Sequence, residues 1–203
     1  MKFANTWVGN FEAAFRGMRN PLESWDKSDS WFSQHGNMTE LGENDLKLAQ
    51  RLKIAGSEHR KYLRQIFVSV DITGGFHWWK EMDTYKIGTT TDACSTMHKL
   101  ASKPITIDCF ETDDFEDFEL EDFNAVVDIC ERLRQKYLNT KDKKYWKALI
   151  RILPESWLQT RTWTANYEVL RNIYRQREGH KLTEWESFRS WVETLPYAKE
   201  LIC

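Results

Sequence analysis

The sequence predicts a mixed α/β fold, and two kinds of segment carry that expectation. The run QIFVSVDIT, from Gln65 to Thr73, alternates and is rich in β-branched residues, which suits a half-buried pleated surface. Helical spacing dominates further on, where Val126, Cys130, Leu133 and Tyr137 recur on one helix face, as do Val169, Leu170, Ile173 and Tyr174. At 203 residues the chain is long enough to bury a sizeable core, and a single domain over 1–203 is expected.

The remaining elements follow in order. KFANTWV near the start alternates enough for a strand, and Asn10 to Phe15 reads as a short helix that Asn20-Pro21 ends. Residues 20–42 read as loop. Helical periodicity returns from Asp45 to Ile54, with Gly56 as its C-cap, and His59 to Leu63 makes a further helical turn. Gly74-Gly75 is expected to break the strand that follows. Residues 108–123, acidic with interleaved phenylalanines, read as a solvated loop anchored by its rings. An amphipathic helix is expected from Glu121, a shorter basic one from Lys141 to Arg151 ahead of Pro154, and a last one from Asn166.

Composition excludes several function classes. A formal charge of −2 argues against a partner that is a nucleic-acid polymer, because such proteins carry a basic surface to displace counterions. No apolar run approaches the ~20 residues of a membrane span, and MKFANTWVGNFEAAF lacks the layout of a signal peptide, so a cytoplasmic protein is expected. Four widely spaced cysteines without a CxxC motif give no zinc site and no disulfide framework.

Two regions hold the chemistry. In FHWWKEMDTYKIGTTTDACSTMHKL, Trp78 and Trp79 offer stacking surface, Lys86 offers charge, and Thr90 and Ser95 offer hydroxyls, together the inventory of a nucleotide pocket. A capped helix start, with Ala93 and Met97 facing inward, accounts for part of the same segment. Near the C-terminus, Asn166 and Arg177 stand eleven residues apart, about three turns, and so share a helix face. An amide and a guanidinium at the two ends of one stripe suit a planar, charged ligand. The alternative is a plain N-cap at Asn166 and a solvated cation at Arg177.

The segment LPESWLQTRTWTANYEVLRNIYRQREGHKLTEWESFRSW, Leu153 to Trp191, resembles the C-terminal third of flavin-dependent thymidylate synthases. Asn166, Asn172 and Arg177 match the family's two asparagines and its pyrimidine-gripping arginine, and His180, Trp185 and Glu186 fit the same pattern. His59 matches the family histidine that helps hold the flavin. The family's arginine-rich signature, by contrast, falls on Tyr85-Lys86-Ile87, Thr90, Asp92-Ala93, Ser95 and Met97, so every signature arginine is replaced. Glu168 stands where the family has another arginine. A point-charge lysine is no substitute for a bidentate fork on phosphate.

The resemblance implies an α/β (α+β) fold with a central, mostly antiparallel sheet flanked by helices and a long C-terminal helix, assembled as a homotetramer. With the arginines gone, the expected function is a non-catalytic nucleotide-binding protein with no cofactor, of a kind similar to phage proteins, which sequesters a small nucleotide such as a host defence signal. The alternative is a flavoenzyme acting on a pyrimidine nucleotide with FAD. A structural oligomer without a ligand is a third reading.

Overall fold

The computed structural model describes residues 1–34 and 38–203. Its contacts divide the chain into two compact units, one formed by Met1–Lys2, Ile72–Thr84 and Asp92–Arg161, the other by Phe3–Asp71, Tyr85–Thr91 and Thr162–Cys203. A four-stranded sheet has the order β1-β4-β6-β5, with β1 Lys2–Gly9, β4 Phe67–Gly75, β5 Thr90–Ala93 and β6 Leu158–Asn166. Along β4 and β6 the cross-strand partners Thr73–Thr160, Asp71–Thr162 and Ser69–Thr164 run in opposite senses, so this pair is antiparallel. The mixed α/β class with helices flanking an antiparallel sheet is the one the sequence predicts.

In the second unit, α1 (Phe11–Arg19) turns Phe11, Ala14, Phe15 and Met18 inward at helical spacing. The stretch expected as loop over 20–42 contains two 3-10 turns, Asn20–Leu22 and Trp25–Lys27, and a short antiparallel pair, β2 (Trp31–Phe32) with β3 (Met38–Glu40). Positions 35–37 of that stretch lie outside the described residues. α2 (Glu43–Ala55) starts where the Asp29 carboxylate accepts the backbone N–H groups of Asn44 and Asp45, satisfying donors that the first helical turn leaves orphaned. It ends at Gly56, whose φ of +140° an L side chain rarely adopts. A 3-10 turn, Arg60–Gln65, occupies the place of the expected helical turn and buries Tyr62 and Leu63. The unit closes with α7 (Tyr167–Gln176), α8 (Glu184–Glu193) and α9 (Ala198–Leu201), which bury Leu170, Ile173, Trp185 and Phe188.

In the first unit, β4 continues through the glycines expected to break it and leads straight into α3 (Phe76–Met82). After β5 comes α4 (Thr96–Lys99), then α5 (Asp117–Thr140) and α6 (Lys143–Ile152), and these last enclose a cluster of Leu100, Ile105, Phe110, Val127, Cys130 and Leu149. The long helix begins four residues before Glu121. Glu116 and Glu119 form a reciprocal capping box there, so half of the acidic stretch is helix and not loop. Its buried positions are Val127, Cys130 and Arg134, a stripe one residue off the expected one over most of its length.

Arg134 is tolerable inside because Glu131 pairs with it at 2.7 Å while also accepting the backbone N–H of Ile105. The Arg134 hydrogen bonds, helped by the Ile105 and Gln135 donors and opposed by burial, hold the Glu131 carboxyl well below the usual range, at about 2. A lowered carboxyl pKa contributes stability that is complete above its unfolded value of 4.5 and is lost as pH falls toward about 2. Denaturant titrations between pH 5 and pH 2 are therefore expected to show a falling midpoint, and Glu131→Gln should flatten that slope.

Among the described residues no helix is long and apolar enough to cross a membrane, and no group of three or more His, Cys, Asp or Glu side chains is placed to hold a metal ion. The four cysteines are free thiols.

Candidate functional site

The second unit carries a frame built around α7. Asn166 is its N-cap, with extended backbone (φ −138°, ψ 168°) and a side-chain oxygen that accepts the Val169 N–H at 3.1 Å. Residues 85–91 lie along the same helix. The Thr89 hydroxyl donates to the Tyr85 carbonyl at 2.5 Å and folds the segment into a turn. Gly88, at φ +76°, sits so close that a Cβ there would meet Val169 Cγ2 at 3.1 Å and the Asn166 amide nitrogen at 3.3 Å. Only glycine combines that backbone conformation with that approach.

At the other end of α7 the same segment supplies Tyr85. Arg177 donates from Nε to the Tyr85 hydroxyl at 2.8 Å, and its guanidinium lies 4.3 Å from the Trp185 ring centroid and 5.3 Å from that of Tyr85. The Tyr85 hydroxyl in turn donates to Gln176 Oε1 at 3.1 Å, and Gln176 donates to Asn172 Oδ1 at 3.0 Å. Asn172, Gln176, Tyr85 and Arg177 thus form one directional chain of hydrogen bonds. Stacking on an indole and donation to a phenol fix the plane of the guanidinium, so little rotamer entropy remains to be lost when an anion meets it. His180 packs against the Trp185 ring at 6.0 Å.

Three of the sequence-predicted residues, Asn166, Asn172 and Arg177, therefore belong to one frame, with both ends of α7 touched by residues 85–91. The N-cap reading of Asn166 holds within it. The solvated reading of Arg177 does not, because aromatic rings cover its guanidinium. Lys86 and Thr90 are exposed on the same segment. His59 stands apart at the entrance to the 3-10 turn, half exposed, 3.5 Å from Glu58. Its neighbour Arg60 grips Glu168 through both carboxylate oxygens, at 2.8 and 3.0 Å. The carboxylate found where the resemblance calls for an arginine is thereby neutralised within the chain.

The first unit holds the other predicted residues, and here the expectation needs correction. Trp78 and Trp79 are 0% and 1% exposed and pack edge to face at 4.8 Å. Trp79 donates its indole N–H to the Gln159 carbonyl, and Arg161 lies over its ring at 4.2 Å, itself bonded to Asp83 and to the Gln159 side chain. A ring with its face covered and its N–H engaged is a core group, not a stacking platform for a base. Ser95 caps α4 by accepting the His98 N–H, but Ala93 is exposed and Met97 is 55% exposed, so the inward-facing pair is also corrected.

Tyr85 and Gly88 are the residues that sequence reasoning missed as parts of the frame. Gly88 carried a signal, a lone glycine directly ahead of three threonines, whereas Tyr85 reaches Arg177 across ninety-two positions of sequence and no local pattern announces it. Replacing Asn166 by alanine is expected to cost about 1 kcal/mol of stability through loss of the cap. A denaturant midpoint measured with and without Asn166→Ala checks this.

No family model and no curated protein matches this sequence. Solved structures do match. The flavin-dependent thymidylate synthase ThyX from Helicobacter pylori, complexed with FAD and dUMP, is similar over 100% of this chain and 98% of its own, at 18% identity and a TM-score of 0.72. A second structure of thymidylate synthase X from the same organism, also with FAD and dUMP, covers 100% and 97%, at 18% identity and a TM-score of 0.74. The chain has the fold of the flavin-dependent thymidylate synthases along its whole length.

Proposed function

We propose that this chain is a non-catalytic nucleotide-binding protein built on that fold. The observation that carries the reading is the Arg177 frame: a guanidinium held in plane by Tyr85 and Trp185 at one end of α7, and an amide at the other end. A fixed guanidinium recognises phosphate or carbonyl oxygens, and the amide of Asn166 or Asn172 reads a base or ribose edge.

The neighbours bear FAD and dUMP, so the fit of this chain to a flavin dinucleotide matters. The residues present fit it poorly. In the resemblance the phosphates are held by forked arginines, and here residues 85–97 offer a single exposed lysine, Lys86, and no arginine. Glu168 adds a carboxylate, which consumes Arg60. We therefore assign no step through a flavin. Binding without turnover amounts to sequestration, and for a phage-encoded protein the ligand would be a small nucleotide of host defence signalling. We further propose a homo-oligomer, a tetramer, working in the cytoplasm.

The test is depletion and return. The protein is mixed with a panel of nucleotides that includes dUMP, filtered, and then heated. A nucleotide that disappears from the filtrate and reappears chemically intact supports the reading. Conversion of dUMP to a methylated product, with reduced flavin and a folate donor supplied, would establish the flavoenzyme instead.

A further inference from the structure

α7 has a second polar face, turned away from Asn166. Glu168, Arg171 and Arg175 follow one another there at spacings of three and four residues, so their side chains are neighbours on the helix surface. Glu168 is taken, since Arg60 holds both of its oxygens. Arg171 has no such match. Its Nε is buried without a hydrogen-bond partner, and among the described residues no carboxylate closes an ion pair with its guanidinium. A charged nitrogen shut off from water with no acceptor costs stability, and an acceptor brought from outside removes that cost.

More positive charge surrounds it. Arg175 is exposed one turn further along α7, and Lys53 of α2 donates to the backbone oxygens of Glu200 and Cys203 at 2.7 and 3.1 Å, which leaves it one N–H. Burial, and then the nearness of Arg60 and Arg175, pushes the Arg171 guanidinium below its ordinary value. Burial, with Arg171 and Arg175, does the same to the Lys53 ammonium, and Glu200 opposes that shift without cancelling it. Like charges gathered at a half-buried place repel one another until an anion joins them.

We propose that this face of α7 is an anion site for a phosphate group, held by forked donation from Arg171, with Arg175 and Lys53 adding charge. The site lies across the helix from the Arg177 frame. It stands whether or not that frame takes a nucleotide.

Equilibrium dialysis of the full chain carrying Arg177→Ala, with radiolabelled inorganic phosphate, tests the site apart from the frame. Saturable binding of one phosphate per chain is expected, and chloride at equal ionic strength should not displace it. Arg171→Met in the same chain should weaken binding roughly tenfold or more, the loss expected for hydrogen bonds to a charged group. The same substitution should raise the melting temperature of the ligand-free chain, because it removes an unsatisfied nitrogen and a repelled charge. A guanidinium with a purely structural role would lower that temperature on removal. Arg175→Ala, at an exposed position, should leave the fold alone and weaken phosphate binding by a smaller factor. Unlabelled dUMP separates two sources of the phosphate group: displacement at lower concentrations than inorganic phosphate requires assigns the site to a nucleotide, and displacement only at higher ones assigns it to the free ion. Absence of saturable binding, binding that both substitutions leave unchanged, or a ligand-free Arg171→Met chain that melts lower would each overturn the proposal.

Discussion

Arg177→Ala is expected to weaken nucleotide binding by roughly ten- to hundredfold, the loss that follows from removing about 1.5–3 kcal/mol of hydrogen bonding to a charged group. The fold should survive, because α7 is held by the buried Leu170 and Ile173. Arg177→Lys should not rescue binding, since an ammonium neither forks onto phosphate nor stacks flat on Trp185. Tyr85→Phe keeps the ring but removes the acceptor for Arg177 Nε, so a smaller loss is expected. Titration calorimetry of the three variants with the nucleotide that the wild type depletes measures all of these. Unchanged affinity in a folded Arg177→Ala chain would move the ligand away from α7.

Asp45→Asn is expected to destabilise the protein by about 3–5 kcal/mol, the usual cost of stripping one partner from a buried ion pair. Asp45 is 0% exposed and Arg19 4% exposed, and the two meet at 2.6 Å. The carboxylate also accepts the Ser28 hydroxyl and the backbone N–H groups of Asp29 and Ser30, so it ties residues 28–30 to the first turn of α2. Burial pushes its pKa up, but the hydrogen bonds from Ser30, Ser28 and Arg19 outweigh that and leave it below the ordinary 3.8. Its contribution is therefore complete above pH 3.8 and lost as pH falls through the lower folded value. Against a total of roughly 5–15 kcal/mol for a typical domain, chemical denaturation should register Asp45→Asn as a large fall in midpoint at neutral pH. A change under about 1 kcal/mol would mean that Arg19 finds full compensation in the Ser24 and Lys27 carbonyls it also reaches.

Legibility in the sequence followed the physics of each element. β4 and α7 were readable because their buried faces are apolar at the right period, and α7 also has an asparagine at its first cap. β6 shows no clean alternation in the sequence, since its inward positions include Gln159 beside Trp163 and Ala165, and a polar group on the buried face erases the pattern. β5 has no buried face at all, so Thr90 to Ala93 carries no pattern to find. The start of α5 was hidden because a glutamate cap inside an acidic run looks like solvated loop. The same limit applied to the site. Asn166, Asn172 and Arg177 could be placed on one helix by counting, whereas Tyr85 enters through a contact that only the folded chain creates. Trp78 and Trp79 misled for a related reason: an indole that stacks on a ligand and one that fills a core have the same sequence, and burial decides between them.

The most direct test of nucleotide binding without flavin is made on untreated recombinant protein. Its visible absorbance is recorded, the protein is then denatured, and whatever small molecule it releases is weighed by mass spectrometry. A colourless protein that releases a nucleotide other than a flavin is the predicted result. A yellow protein that releases FAD would contradict it and restore the flavoenzyme.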